Sequence, residues 1–69
     1  MGYLQGVVLT AEELRTVCAA LNLAHREAAR IIGVNERHFR RQCGGTVPVT
    51  LATETAMLEL LRRAREAAT

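Results

Sequence analysis

The chain has 69 residues, enough for one small domain, and 49% of them are apolar while only 3% are aromatic. Alanine and leucine dominate the apolar residues, which favours an all-α fold, and the net charge of +2 is carried by arginine against glutamate. No apolar run approaches the roughly 18 residues of a membrane span. The start MGYLQGVVLT lacks the basic segment of a signal peptide, so we expect a cytoplasmic protein.

The N-terminal part is predicted to be an extended segment followed by a helix. Residues 1–9 contain YLQGVVL, which we predict to be an arm lying over the bundle or a short strand. Thr10 should begin the helix, because TAEE places Glu13 three residues after a threonine in the capping-box pattern. An apolar face then predicts a helix over 11–21. That face is formed by Leu14, Val17, Cys18 and Leu21.

Two short helices with a tight turn between them are predicted next. The second helix should begin near residue 25, and Gly33 should end it in the left-handed conformation that glycine adopts readily. Asn35 is a good N-cap for a third helix with the sequence ERHFRRQC. Gly44-Gly45 should stop that helix.

One longer helix is predicted at the C-terminus. Pro48 disfavours a helical conformation at the residue before it, so TVPV is predicted to be a loop. Thr50 can cap a helix over 51–67. The apolar stripe of this helix is wider than a three-helix core can bury, so we expect a homodimer formed through this helix or through the N-terminal arm. The candidate dimer residues are Met57, Leu58 and Leu61.

The positive charge is concentrated in the middle of the chain. Residues 25–41 carry five arginines and two glutamates, a net charge of +3, whereas residues 1–24 have −1 and residues 42–69 have zero. Arginine's planar fork suits phosphates and the edges of guanine. The central segment is therefore the candidate for nucleic-acid contact, and the C-terminal arginines are expected to form a solvated face. Those arginines are Arg62, Arg63 and Arg65.

The third helix is predicted to have one charged face and one buried anchor. At about 100° per residue, four charged side chains fall within one arc of roughly 140°. They are Glu36, Arg37, Arg40 and Arg41. Phe39 points nearly opposite the middle of that arc and should be buried. Glu36 should face bases or pair with Arg37 or Arg40, because it would repel phosphate.

The segment 25–43 also meets the steric requirements of a helix–turn–helix. Ala29 is a small residue where the third helix crosses the second, and Gly33 follows four residues later at the turn. Val34 can plug the core after the glycine, and Phe39 can anchor the third helix from beneath. This motif places its third helix in the major groove of DNA.

These residues resemble a known family. The stretch EAARIIGVNERHFRR, with Gly45-x-x-Pro48 after it, is similar to the lambda-repressor-like (Cro-type, or XRE) helix-turn-helix DNA-binding domain. The resemblance covers residues 9–48 and implies a single compact bundle of four or five helices. The implied divisions are an arm at 1–9, a family-like core at 10–48 with the helix–turn–helix at 25–43, and a C-terminal helix at 49–69.

The resemblance also implies a function and a set of contact residues. We expect a sequence-specific transcriptional regulator, a small dimeric repressor on a palindromic operator. Such short regulators are typical of phages, plasmids and mobile elements, act in the bacterial cytoplasm or nucleoid, and in some cases repress their own operon. The positions expected to read bases are Asn35, Glu36, Arg37, Arg40 and Arg41. The positions expected to contact phosphate are His25, Arg26, His38 and Thr46.

The sequence departs from the family pattern at four positions. His25 stands where glutamine is usual, and Ala24 where a threonine cap is usual, which weakens the phosphate clamp of the second helix. Gln42 replaces an apolar residue and Cys43 a glutamate near the end of the third helix. We expect these two residues to leave the back of that helix short of apolar anchorage, which raises the question whether they mark a shifted partner surface.

Other classes of function receive less support from the sequence. Four residues could ligate zinc, namely Cys18, His25, His38 and Cys43. Their spacings match no short zinc signature, so we expect no metal, and Cys18 is expected in the core. We expect no enzyme activity, cofactor or small-molecule ligand. The alternative function is a protein-interaction module, such as an antitoxin or a phage-encoded inhibitor that applies the arginine face to an acidic protein.

Overall fold

A computed structural model of the protein describes residues 9–68 and contains four helices. They are α1 (Ala11–Leu21), α2 (His25–Ile32), α3 (Glu36–Gly44) and α4 (Leu51–Ala68). No strand occurs within this range, so the all-α prediction is confirmed, with four helices. The predicted arm at 1–9 lies outside the described residues except for Leu9, which packs against the core.

Helices α1 and α3 begin at the caps predicted for them. The Thr10 hydroxyl accepts a hydrogen bond from the Glu13 amide at 3.1 Å, and the Glu13 carboxylate accepts one from the Thr10 amide at 2.9 Å. The predicted capping box of α1 is therefore confirmed. At α3, the Asn35 side-chain oxygen accepts a hydrogen bond from the His38 amide at 3.0 Å, as its N-cap role requires.

The other two helices differ from each other in how they begin. The Thr50 hydroxyl caps α4 by accepting a hydrogen bond from the Thr53 amide at 3.2 Å. Ala24 has no side-chain acceptor, so only the second half of a capping box is present at α2. There the Glu27 carboxylate accepts a hydrogen bond from the Ala24 amide at 3.1 Å. The first-turn amides of α2 are consequently left without a side-chain cap.

The core lies where α1 meets α3 and α4, with α2 packed against α3. Its buried apolar residues come from all four helices and from the loop before α4. They are Leu14, Val17, Cys18, Ala28, Ala29, Phe39, Cys43, Val49 and Met57. Burial of these side chains removes their apolar surface from water, and this is the main favourable contribution to folding.

Gln42 and Cys43 are buried with this core, so the prediction that they leave the back of α3 short of anchorage is wrong, and they form no exposed partner surface. Gln42 is 0% exposed and Cys43 is 1% exposed. The Gln42 side-chain oxygen accepts a hydrogen bond from the Thr50 amide at 3.0 Å and so caps the start of α4. A buried amide thus connects α3 to α4 where an apolar residue was expected, because α4 presents an otherwise unpaired backbone N–H at that point.

The inward face of α4 also corrects the dimer prediction. Met57 is 0% exposed in the core, so it cannot contribute to a dimer surface. Leu61 is half-buried and packs against the core. Leu58 remains 41% exposed, and Leu51, seven residues earlier, is 56% exposed. The apolar surface left on α4 therefore centres on Leu51 and Leu58.

The turn between α2 and α3 has the geometry predicted from Gly33. Gly33 adopts φ +80° in the left-handed region. The Gly33 and Val34 amides both donate hydrogen bonds to the Ala29 carbonyl, at 2.9 and 3.0 Å, which ends α2 tightly. Ala29 is 1% exposed, and half-buried Val34 packs against the core. The turn therefore fixes the crossing of α3 over α2.

Replacing Gly33 with alanine should destabilise the protein by about 1 kcal/mol, because an L side chain is strained in the left-handed conformation. No atom lies within 4 Å of a Cβ built at this position, so the cost is confined to the backbone. Gly33→Asn should cost less, since asparagine tolerates this region. Urea unfolding midpoints compare the two variants. A loss of several kcal/mol for both would contradict this assignment.

Candidate nucleic-acid interface and a neighbouring thiol cluster

The arginine side of α3 faces solvent, while the opposite side is held in the core. Phe39 is completely buried beneath the helix. Arg37, Arg40 and Arg41 are all exposed on the far side. The helix is therefore anchored in the core on one side and presents its cations on the other, as a docking helix requires.

The residues predicted to read bases share one surface. A shallow hollow, open to solvent, runs along the outer side of α3 and into the following loop. It is lined by Asn35, Glu36, Arg37, Arg40, Arg41 and Thr46. These are the five predicted base-reading residues together with one predicted phosphate contact. We refer to this surface as the α3 face.

Within the α3 face, one arginine is paired and two are not. Arg40 forms an ion pair with Glu36, one turn earlier, at 2.8 Å. Both side chains are substantially exposed, so the pair contributes little to stability and can open at low cost. Among residues 9–68, the side chains of Arg37 and Arg41 form no ion pair or hydrogen bond. Their guanidinium groups keep all their donors available for a partner.

The predicted phosphate contacts differ in where they lie. Arg26 and His38 are exposed, as is Thr46 on the α3 face. His25 is half-buried, and its ring meets the Phe39 ring edge-on, with centroids 6.1 Å apart and planes at 70°. One of its nitrogens also lies close to both cysteine sulfurs. His25 is therefore directed toward the core and not toward the outer surface.

The arginines of α4 form a different kind of surface. Arg62 lies 2.6 Å from the Glu66 carboxylate, and Arg63 lies 2.9 Å from that of Glu59. The hydrogen bond from Arg62, followed by that from Arg63, holds the pKa of the Glu59 carboxyl below its ordinary value. These cations are offset by neighbouring carboxylates, which agrees with the expected solvated face and distinguishes α4 from α3, where Arg37 and Arg41 are uncompensated among the described residues.

A second constellation lies directly behind α3. Cys18 from α1, His25 from the start of α2 and Cys43 from the last turn of α3 come together, with their ligand-type atoms within 4.8 Å of one another. These three residues were among the four weighed as zinc ligands from the sequence, but their proximity was not predicted, because each donor belongs to a different helix and the spacing matches no local motif. His38, the fourth ligand-type residue considered, is exposed and is not part of it.

The two thiols of this cluster are shielded and in mutual contact. Burial, together with the adjacent Cys18, raises the pKa of Cys43 to about 11, whereas Arg15 acts in the opposite direction. Burial also raises the pKa of Cys18, while its hydrogen bond with Cys43 lowers it. The Arg15 guanidinium donates a hydrogen bond to the Cys43 carbonyl at 2.6 Å, which links α1 to α3 and places a cation beside the thiols.

Stability should fall at alkaline pH because of Cys43. In the unfolded chain this thiol ionises near its ordinary pKa of 9.0, but in the folded protein only near 11. Below pH 9 the thiol is protonated in both states, and its stabilising contribution to the free energy of unfolding is fully present. As the pH rises toward 11 the unfolded chain loses its proton first, and the free energy of unfolding falls by an amount on the order of 2 kcal/mol. Urea titrations at several pH values should show this decline, and Cys43→Ala should flatten it. An equally steep decline in Cys43→Ala would contradict the assignment.

Comparisons with protein-family models, with curated proteins and with solved structures find no match for this chain. Within residues 9–68, no helix has both the length and the apolar character needed to cross a membrane.

Proposed function

We propose that this protein is a sequence-specific, double-stranded-DNA-binding transcriptional regulator of the lambda-repressor-like helix-turn-helix type. One observation carries the proposal. All five predicted base-reading residues lie on one exposed surface of α3, directly opposite the buried Phe39. A helix seated in this way can enter the major groove while its anchor stays in the core.

The α3 face has the chemistry for reading base pairs. Arg37 and Arg41 have free guanidinium groups, and each can donate two hydrogen bonds to O6 and N7 of a guanine. Glu36 forms an exposed ion pair with Arg40, and when that pair opens its carboxylate can accept a hydrogen bond from cytosine N4. The face therefore combines two arginines that are unpaired within residues 9–68 with one pair that can open at low cost.

Contacts around the α3 face can set the register on the DNA backbone. Arg26 and His38 are exposed cations or donors beside it. The start of α2 adds backbone donors, because Ala24 supplies no side-chain cap and the first-turn amides stay available for a phosphate oxygen. We assign His25 a smaller part in phosphate contact than the sequence suggested, since its ring packs on Phe39.

Such a protein would act as a small repressor that binds as a homodimer and blocks RNA polymerase at a promoter. The α4 surface around Leu51 and Leu58 is the best-supported contact between the two copies, because these are large apolar side chains exposed on one side of the helix. The two-fold symmetry of such a dimer matches a palindromic operator.

Replacing Leu58 with glutamate should shift the protein toward monomer, because two copies would place like charges at an apolar contact. Sedimentation velocity at micromolar concentration measures the change. Ala52→Glu adds the same charge at another exposed position of α4 and serves as the control. A wild-type protein that sediments as a monomer would rule out the dimer.

Selection from a pool of random DNA duplexes tests the proposed function directly. The protein should enrich an inverted repeat, which it then binds at least about 1,000-fold more tightly than an unrelated duplex at physiological salt. The DNA upstream of its own gene is the first natural sequence to search for that repeat. Failure to enrich any motif, or equal affinity for all duplexes, would reject a specific regulator and favour a protein partner for the α3 face.

A further inference from the structure

The cluster of Cys18, His25 and Cys43 contains two thiols and an imidazole whose donor atoms lie within 4.8 Å of one another. We propose that these three residues form a binding site for a thiophilic metal ion, best matched by Zn²⁺, which joins α1 to both helices of the helix–turn–helix. The site does not depend on the proposed DNA-binding function, because it is defined by the donors alone.

The donor set selects the class of metal. Cysteine and histidine suit Zn²⁺ and other soft or borderline ions, while Mg²⁺ and Ca²⁺ require oxygen ligands. Two thiolates and a neutral imidazole carry a charge of −2, so Zn²⁺ makes the site neutral. Neutrality matters here because Cys18 and Cys43 are only 2% and 1% exposed, and a monovalent ion would leave a buried negative charge.

The distances are close to those that a bound ion requires. With Zn–S near 2.3 Å and Zn–N near 2.0–2.1 Å, tetrahedral coordination places the donor atoms about 3.5–3.8 Å from one another. The observed limit of 4.8 Å is therefore at most about 1.3 Å too wide. Small rotations of the three side chains can close this gap without moving a helix.

The surroundings both orient the site and give access to it. The edge of the Phe39 ring meets the His25 ring and restricts its rotation. An open hollow lined in part by Arg15, Cys18 and His25 leads from solvent to the cluster. No other cysteine, histidine or carboxylate lines that hollow within the described residues, so water or an external anion must complete the tetrahedron. Three protein ligands with one open position is the arrangement of zinc sites that keep a place for water or another exogenous ligand.

The position of the site gives it a role in ordering the reading helix. Its ligands come from α1, α2 and α3, so a bound ion restricts the motion of α3 relative to the other two helices. If the proposed function holds, this restriction lowers the ordering cost of DNA binding. Zn²⁺ should then raise operator affinity several-fold.

Metal binding can be measured on the full chain, kept reduced with a phosphine. Addition of Co²⁺ should produce thiolate-to-metal charge-transfer absorption and tetrahedral ligand-field bands, which one equivalent of Zn²⁺ then abolishes. A free Zn²⁺ concentration 100 times the Kd should raise the Tm by about 10 °C or more. Absence of the charge-transfer absorption, or Zn²⁺ binding without any rise in Tm, would overturn the proposal.

Variants separate the cluster from adventitious binding. His25→Gln should weaken Zn²⁺ binding by at least about 100-fold, since loss of a direct ligand costs more than loss of a supporting residue. His38→Gln, at an exposed histidine outside the cluster, should bind Zn²⁺ like the wild type. Cys18→Ser and Cys43→Ser should each lower the charge-transfer absorption to half or less, and the double variant should abolish it, with circular dichroism to verify folding. His25 is only half-buried, so its variant stays informative even if a cysteine variant unfolds. Equal affinity of His25→Gln and the wild type would overturn the proposal.

The two proposals fail separately. Zn²⁺ binding that requires His25, in a protein that selects no DNA motif, would support the metal site and reject the regulator. Operator binding that is identical with and without bound Zn²⁺ would support the site and reject its coupling to α3.

Discussion

Replacing Arg37 and Arg41 together with alanine should lower operator affinity by about 30-fold to 10,000-fold while the fold stays intact. Each arginine that grips a guanine contributes about 1–3 kcal/mol of discrimination, and a tenfold change in affinity corresponds to about 1.4 kcal/mol. Both side chains are exposed and have no partner in residues 9–68, so their removal leaves no buried group unsatisfied. The variant's unfolding midpoint should therefore match that of the wild type.

Arg62→Ala combined with Arg63→Ala is the matched control. It removes the same charge from α4, where both arginines already pair with Glu59. Fluorescence anisotropy on the selected operator and on an unrelated duplex, at two salt concentrations, separates base reading from general attraction. If the two double variants lose affinity equally, net charge alone accounts for binding and the α3 face is not the reader.

Replacing Phe39 with alanine should remove a large fraction of the protein's free energy of unfolding. Truncation of a buried phenylalanine costs about 3–5 kcal/mol. A domain of this size has a free energy of unfolding of roughly 3–10 kcal/mol, at about 0.05–0.15 kcal/mol per residue. Phe39 is the only phenylalanine in the chain and is 0% exposed beneath α3, so its truncation opens a cavity in the core.

Phe39→Leu is the conservative comparison. It should cost less than about 1.5 kcal/mol in addition to the free energy lost with the smaller apolar side chain, because leucine can still fill much of the site. Far-UV circular dichroism and urea unfolding report the helix content and the midpoint of each variant. If Phe39→Ala unfolds at the wild-type midpoint, Phe39 does not anchor α3 in the core.

The cluster behind α3 changes how the departures from the family pattern are understood. His25 and Cys43 were interpreted from the sequence as losses, of a phosphate clamp and of a familiar residue at the end of the third helix. In the fold both approach Cys18 on α1. The two departures from the family pattern thus fall at one place, where they supply two of the three donors of the proposed metal site.

The helices themselves were predictable, because their signals are local. Thr10 and Glu13 lie within one turn, Asn35 caps the amide three residues later, and Gly33 is needed where φ reaches +80°. Helical periodicity also predicted the arginine side of α3, since side-chain direction along one helix follows from residue number. These features depend on contacts within three or four residues, so the local sequence is sufficient to predict them.

Other features were decided only by the tertiary structure, because they join residues that are distant in the chain. The burial of Gln42 depends on the start of α4, which supplies the Thr50 amide as its partner. Met57 was offered for a dimer because periodicity identifies an apolar face without showing what covers it, and here the core does. Cys18 and Cys43 are 25 residues apart and meet only when α1 packs on α3. The sequence thus determined each helix and its faces, while packing decided which faces meet, and with them the proposed metal site.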